Sequence, residues 1–85
     1  MSICYEFMIY AACPVDGSRD VYDAKILTDT QINVERINSA ARSYEHAVIF
    51  QEALTTEMFR TLGFSGSLTT VGMHSGVRVT VTCST

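Results

Sequence analysis

The sequence predicts an α+β two-layer sandwich: a four-stranded antiparallel sheet with two helices on one face, formed by residues 1–85 as a single domain. Three observations carry this reading. Residues 20–28 and 77–83 alternate between apolar and polar side chains, the period of a half-buried strand. Turn-rich stretches at 13–19 and 74–76 each separate two apolar runs, as in a hairpin. Between the two hairpins, from Val34 to Leu62, apolar residues recur at helical spacing. The order strand, strand, helix, helix, strand, strand then leaves one economical packing, helices laid on an antiparallel sheet.

The first strand, Ile3 to Ala12, carries Ile3, Tyr5, Phe7 and Ile9 on one alternating set and Cys4, Met8 and Tyr10 on the other, with Glu6 as its polar exception. Apolar side chains on both faces predict a strand interior to its sheet and covered on both sides. Pro14, Asp16-Gly17 and Ser18 make the next segment a turn. Beyond it Tyr22, Ala24 and Ile26 should face inward, with Asp23 and Lys25 facing water.

Asn33 is suited to cap a helix, and Ile32 with Ile37 occupy the positions of a hydrophobic staple. Val34, Ile37, Ala41 and Tyr44 share a face that continues in phase through Val48. A single helix from Val34 to Leu62 would nevertheless be about 43 Å long at ~1.5 Å per residue, against a radius of gyration of ~12 Å for a chain of this size. A break near Ser43 is therefore expected. The second helix is predicted over Tyr44–Gly63, with Ala47, Phe50, Leu54, Met58 and Leu62 as its buried stripe and Ser43 as its cap. Gly63 should end it in the left-handed conformation, with Phe64 folding back as the hydrophobic contact. Strands over 68–73 and 77–83 then flank a three-residue loop, His74-Ser75-Gly76, and Val77, Val79, Val81 and Cys83 define a dry face.

Apolar residues make up 47% of the chain and charged ones 18%, which excludes disorder, and no run approaches the roughly 20 uncharged residues of a membrane helix. The formal net charge is −3 and the six basic residues are scattered, so the clustered cations that nucleic-acid binding requires are missing. Cys4, Cys13 and Cys83 form no close pair, and their odd number argues against a disulfide framework and for a reducing, cytoplasmic setting. Tyr10-Ala11-Ala12-Cys13 loosely resembles a lipoprotein cleavage site, but no basic residue precedes it and Glu6 interrupts the apolar run.

The candidate chemistry is sparse. Cys4, Cys13, His46, His74 and Cys83 lack the close ligand pairs of structural zinc, and Cys4 and Cys83 read as small buried hydrophobes. Cys13 is the best candidate for an exposed thiol and His74 for a base, both in loops, with nothing in the sequence to bring them together. His46 and Glu45 fall in the first turn of the predicted second helix, and Glu45 and Glu52 on one of its faces. Asp16, Asp20, Asp23 and Asp29 lack the spacing of a calcium loop. Phosphate-loop, dinucleotide and serine-hydrolase motifs are absent. The sequence thus assigns no catalytic, cofactor-binding or metal-ligating residue and implies no cofactor.

Two functional classes follow. The first is a non-enzymatic interaction module, an acidic homo-oligomeric adaptor or inhibitor of the kind a phage or mobile element uses against a host machine. In it Cys4, Met8 and Tyr10 form a homodimer interface on the uncovered sheet face, and Asp20, Asp23, Glu45 and Glu52 meet a protein with a basic surface. The second rests on a resemblance of element order: ββααββ is similar to the order in tunnelling-fold enzymes, which bind purines and pterins, with Gln51 and Glu52 on the helix. It implies a purine- or pterin-type molecule held at a subunit interface.

Overall fold

In a computed structural model describing Met1–Thr85, two hairpins enclose a helical pair. The strands are β1 (Ile3–Ala12), β2 (Arg19–Thr28), β3 (Gly66–His74) and β4 (Val77–Ser84), and the helices α1 (Val34–Arg42) and α2 (Gln51–Leu62). One antiparallel sheet runs β1-β2-β3-β4, so spatial order follows chain order and both hairpin turns lie at the same end.

Register matches the alternation. Ile26 sits between Tyr5 and Leu68, Ala24 between Phe7 and Thr70, and Tyr22 beside Ile9, all directed at the helices. Leu54, Met58 and Leu62 of α2 and Ile37 and Ala41 of α1 close over them, forming one core. Asn33 caps α1 by accepting the Glu35 amide at 2.8 Å, and Ile32 and Ile37 are both buried beside it. Gly63 ends α2 at φ 61°, and Phe64 packs edge-on against Phe59 with ring centroids 5.2 Å apart.

Three expectations need correction. β1 is an edge strand, not an interior one. Its second apolar set lies on the sheet face opposite the helices, where Met8 keeps 50% and Tyr10 37% of its surface exposed and Cys4 is exposed too, not a buried hydrophobe. The second helix begins at Gln51 rather than Tyr44, and Ser43 ends α1 instead of capping α2. The reason is a competing partner for residues 47–49: the Ala12 amide donates to the Ala47 carbonyl at 2.8 Å and the Ile49 amide to the Ala12 carbonyl at 3.2 Å, a parallel bridge along the free edge of β1. Val48 and Ile49, stiff at χ1, suit that extended path better than a helix. His46 and Glu45 consequently sit in a turn outside any helix, while Phe50 leaves the buried stripe and Val34 points to solvent.

The third correction moves His74. The β3–β4 connection is a two-residue turn, Ser75 (φ 52°) and Gly76 (φ 81°), and His74 is the last residue of β3, paired with Val77. Two consecutive left-handed residues define a type I′ hairpin, whose twist suits the flanking strands. The strand alternation then turns His74 toward the helix side.

The molecule measures 41 × 23 × 17 Å, thick enough for a sheet and one helical layer. Cys4, Met8, Tyr10, Val21, Leu27 and Met73 are left on the uncovered face. No helix is long and apolar enough to cross a membrane.

Candidate active site

Sequential strand order has a local consequence: the start of β2, the end of β3 and the loop before β2 share one end of the sheet, and α2 begins above them. Together they line a cleft of about 450 Å³ that includes Cys13, Asp16, Asp20, Tyr22, Gln51, Glu52 and His74. That volume falls within the range of small-molecule sites.

The loop is shaped by its own side chain. Asp16 accepts from the Ser18 amide at 2.9 Å and the Ser18 hydroxyl at 2.7 Å, and the Cys13 amide donates to the Ser18 carbonyl at 2.8 Å. The Ser18 hydroxyl holds the Asp16 carboxyl below its ordinary range, helped by the Ser18 amide and more weakly by the Cys13 thiol. Cys13, half-buried and without a disulfide partner, therefore faces the cleft beside a carboxylate.

Asp20 lies opposite Ala11 in the β1–β2 register and points inward, with 11% of its side chain exposed. It accepts from the Tyr22 hydroxyl at 3.1 Å, and its Oδ1 is 3.9 Å from Nδ1 of His74. Burial, followed by the charge of Asp20 and its hydrogen bond, pushes the Tyr22 phenol well above its ordinary range, with Cys13 and Glu52 adding to the effect. Tyr22 thus serves as a neutral donor that steadies the Asp20 carboxylate.

His74 is held from its other side by Gln51, the first residue of α2. The Gln51 side chain is buried and reaches down to the sheet, where its Nε2 donates to the carbonyls of Thr70 at 3.1 Å and Val79 at 3.0 Å. The Thr70 hydroxyl lies 3.1 Å from the same nitrogen. Thr55 ties the network to the helix, its Oγ1 donating to the Gln51 carbonyl at 2.7 Å and lying 2.7 Å from the Thr70 hydroxyl. Gln51 Oε1 is left to meet His74 Nε2 at 2.9 Å. No buried side-chain nitrogen or oxygen lacks a partner.

Gly72 makes room for this arrangement. A β-carbon there would lie 2.5 Å from Tyr22 Cδ1 and 3.5 Å from Gln51 Oε1, so only glycine lets the Tyr22 ring lie across β3 under the helix. Asp20 and His74 supply one oxygen and one nitrogen donor, and no group of three His, Cys, Asp or Glu side chains converges as a metal-ligand set.

Two of the four acidic residues assigned to a partner surface, Asp20 and Glu52, instead line this cleft. Asp23 projects from the opposite sheet face, paired with Met8 and Val71, and Glu45 lies 3.7 Å from Arg19. Asp20 also shares a shallow groove with Asp23 beside Arg19, and Glu45 and Glu52 do not share a helix. Cys13 and His74, for which the sequence offers no meeting point, come to the same cleft. Strand order was the missing signal: with neighbouring strands in chain order, residues 13–20 and 74–77 must share an end.

A sheet with a helical pair on one face and a cysteine-bearing cleft at its end defines the class of this protein as a small α+β domain with a polar cleft. Among solved structures it is similar to the crystal structure of the archaeosine synthase QueF-Like in the apo form, with a TM-score of 0.87, 16% sequence identity, and coverage of 96% of this chain and 90% of that one. At that identity the likeness is one of fold. No protein-family model and no curated protein matches the chain. The expectation of a non-enzymatic adaptor or inhibitor is corrected here: the fold is shared with an archaeosine synthase QueF-Like, and the cleft gathers a thiol, carboxylates and an imidazole.

Proposed function

We propose that this protein is a small-molecule enzyme of tunnelling-fold type, acting on a planar purine- or pterin-like heterocycle through Cys13. The observation that carries the reading is the convergence of Cys13, Asp20 and His74, from a loop and two strands, on one cleft with Asp20 and His74 3.9 Å apart. The similarity in fold to an archaeosine synthase QueF-Like supports it.

The chemistry suited to these groups is addition. The Cys13 sulfur forms a bond to an electrophilic carbon of the ligand while the π electrons of that carbon's double bond pass to the attached heteroatom. The thiol proton leaves to the Asp20–His74 pair and a proton from the pair reaches the heteroatom, so no oxidant or reductant enters this step. Glu52, at the open side of the cleft, accepts from ring N–H or amino groups of the heterocycle. Phe50, with 57% of its surface exposed, supplies an aromatic face to stack on it.

The cleft's rim also carries exposed Val15 and Met73, which suits a site completed by a second copy of the chain. Cys4, Met8 and Tyr10 on the bare sheet face are the proposed homodimer contacts. The three free cysteines accord with a cytoplasmic, reducing setting.

The test is iodoacetamide alkylation of Cys13, followed by mass spectrometry, with a panel of purines and pterins present or absent, alongside thermal shift. A ligand that raises the melting temperature and protects Cys13 supports the reading. If no heterocycle does either, and Cys13→Ser changes neither binding nor turnover of any of them, the proposal fails.

A further inference from the structure

We infer that Gln51 is a positioning residue that fixes which nitrogen of His74 exchanges protons with the cleft. This rests on the reading of the cleft as an enzyme site, but the hydrogen bonds that carry it stand without a ligand.

The orientation of the Gln51 carboxamide is decided by its surroundings. Its Nε2 faces the carbonyls of Thr70 and Val79, which can only accept, so turning the amide over would set an oxygen against two oxygens. Oε1 must therefore be the atom facing His74 Nε2, at 2.9 Å, and as an acceptor it requires the hydrogen to be on Nε2. On the other side of the ring, Nδ1 faces Asp20 Oδ1 at 3.9 Å, beyond hydrogen-bond length. Two acceptors compete for the single hydrogen of a neutral imidazole, and the nearer one holds it. Nδ1 is consequently the nitrogen that gains and loses a proton, and it points to Asp20, which lines the cleft with Cys13. The remaining ionisable groups around the ring are Tyr22 from β2, Glu52 from α2, and Asp16 and Arg19 from the Cys13 loop and its exit.

The direction of transfer follows. Gln51 has no polar group to spare for a ligand, since its four side-chain polar contacts are spent on β3 and β4. It makes the Asp20–His74 pair act as one proton carrier with a defined outlet. Were Gln51 merely a buried tie between α2 and the sheet, the identity of the protonated nitrogen would be indifferent to it.

The experiment is a long-range proton–nitrogen correlation spectrum of His74 in the unliganded protein at a pH where the ring is neutral. Wild type should show the Nε2–H form alone. In Gln51→Met, Asp20 becomes the nearest acceptor and the population should move to Nδ1–H. Gln51→Glu keeps an acceptor opposite Nε2 and should retain the wild-type form even where its melting temperature falls, because it loses both donor bonds. A wild-type spectrum with Nδ1–H, or a Gln51→Met spectrum unchanged from wild type, overturns the inference, and the wild-type measurement suffices if a variant fails to fold. Heterocycle binding enters none of these readouts, so failure of the proposed function and failure of the positioning role remain distinguishable.

Discussion

The Tyr22 ring occupies the space where residue 72 would carry its β-carbon, 2.5 Å from Cδ1 and 2.6 Å from Cε1. Tyr22 and Gly72 thus form a complementary pair across β2 and β3, and the pair sets the depth of the cleft. Gly72→Ala should displace the ring and cost roughly 1–3 kcal/mol, the range for overpacking a filled core. Urea denaturation of Gly72→Ala, Tyr22→Val and the double variant measures it. Truncating the ring should remove much of the penalty, whereas strictly additive losses would mean that the ring has another place to lie.

Leu54 is fully buried between the helices and the sheet. Leu54→Ala opens a cavity there and should destabilise the fold by about 2–5 kcal/mol. Against the ~5–15 kcal/mol total of an ordinary domain, that can bring an 85-residue chain close to unfolding. A loss under about 1 kcal/mol by denaturant titration would contradict this packing.

Alkaline pH should weaken the fold. Burial, then the charge of Glu57 and its hydrogen bond, pushes the Tyr44 phenol up to about 12. Folded Tyr44 keeps a proton that the unfolded chain releases near pH ~10. Its contribution is therefore complete below about pH 10 and is lost as pH rises through about 12. Tyr22 is shifted in the same direction. Urea midpoints across this interval should fall more steeply for wild type than for Tyr44→Phe, and equal slopes would remove Tyr44 from the account.

The bare sheet face, with Met8 and Tyr10 exposed on it, is expected to be covered in solution by a second copy. Light scattering at micromolar concentration should give twice the 9.4 kDa chain mass or a higher multiple. Tyr10→Glu should shift the assembly toward monomer. A wild-type monomer would leave that face to some other partner, and an assembly untouched by Tyr10→Glu would put the contact elsewhere.

How much of this was legible in the sequence depended on whether a signal was local. Asn33, Gly63 and the alternation of Tyr22, Ala24 and Ile26 act through their immediate neighbours and could be read directly. Residues 44–50 could not, because their helical phase competes with a backbone partner, Ala12, more than thirty positions earlier. Gln51 reads in the sequence as a generic polar residue within a helix that starts at Tyr44, since the carbonyls that bind it belong to two strands formed later in the chain. His74 was assigned to the loop because Ser75-Gly76 and His74-Ser75-Gly76 differ only in backbone angles. The site was hidden by strand order, a property to which no single residue testifies.

The bridge at Ala12 has a mechanical meaning. Ala12 immediately precedes Cys13, and Ile49 stands two positions before Gln51, so the two backbone bonds joining 12 to 47 and 49 clasp the thiol-bearing loop to the start of α2. One wall of the cleft cannot recede while the other stays. The amides of Ala12 and Ile49 should therefore exchange with solvent deuterium at a common rate, set by a single opening event that unfastens both walls together.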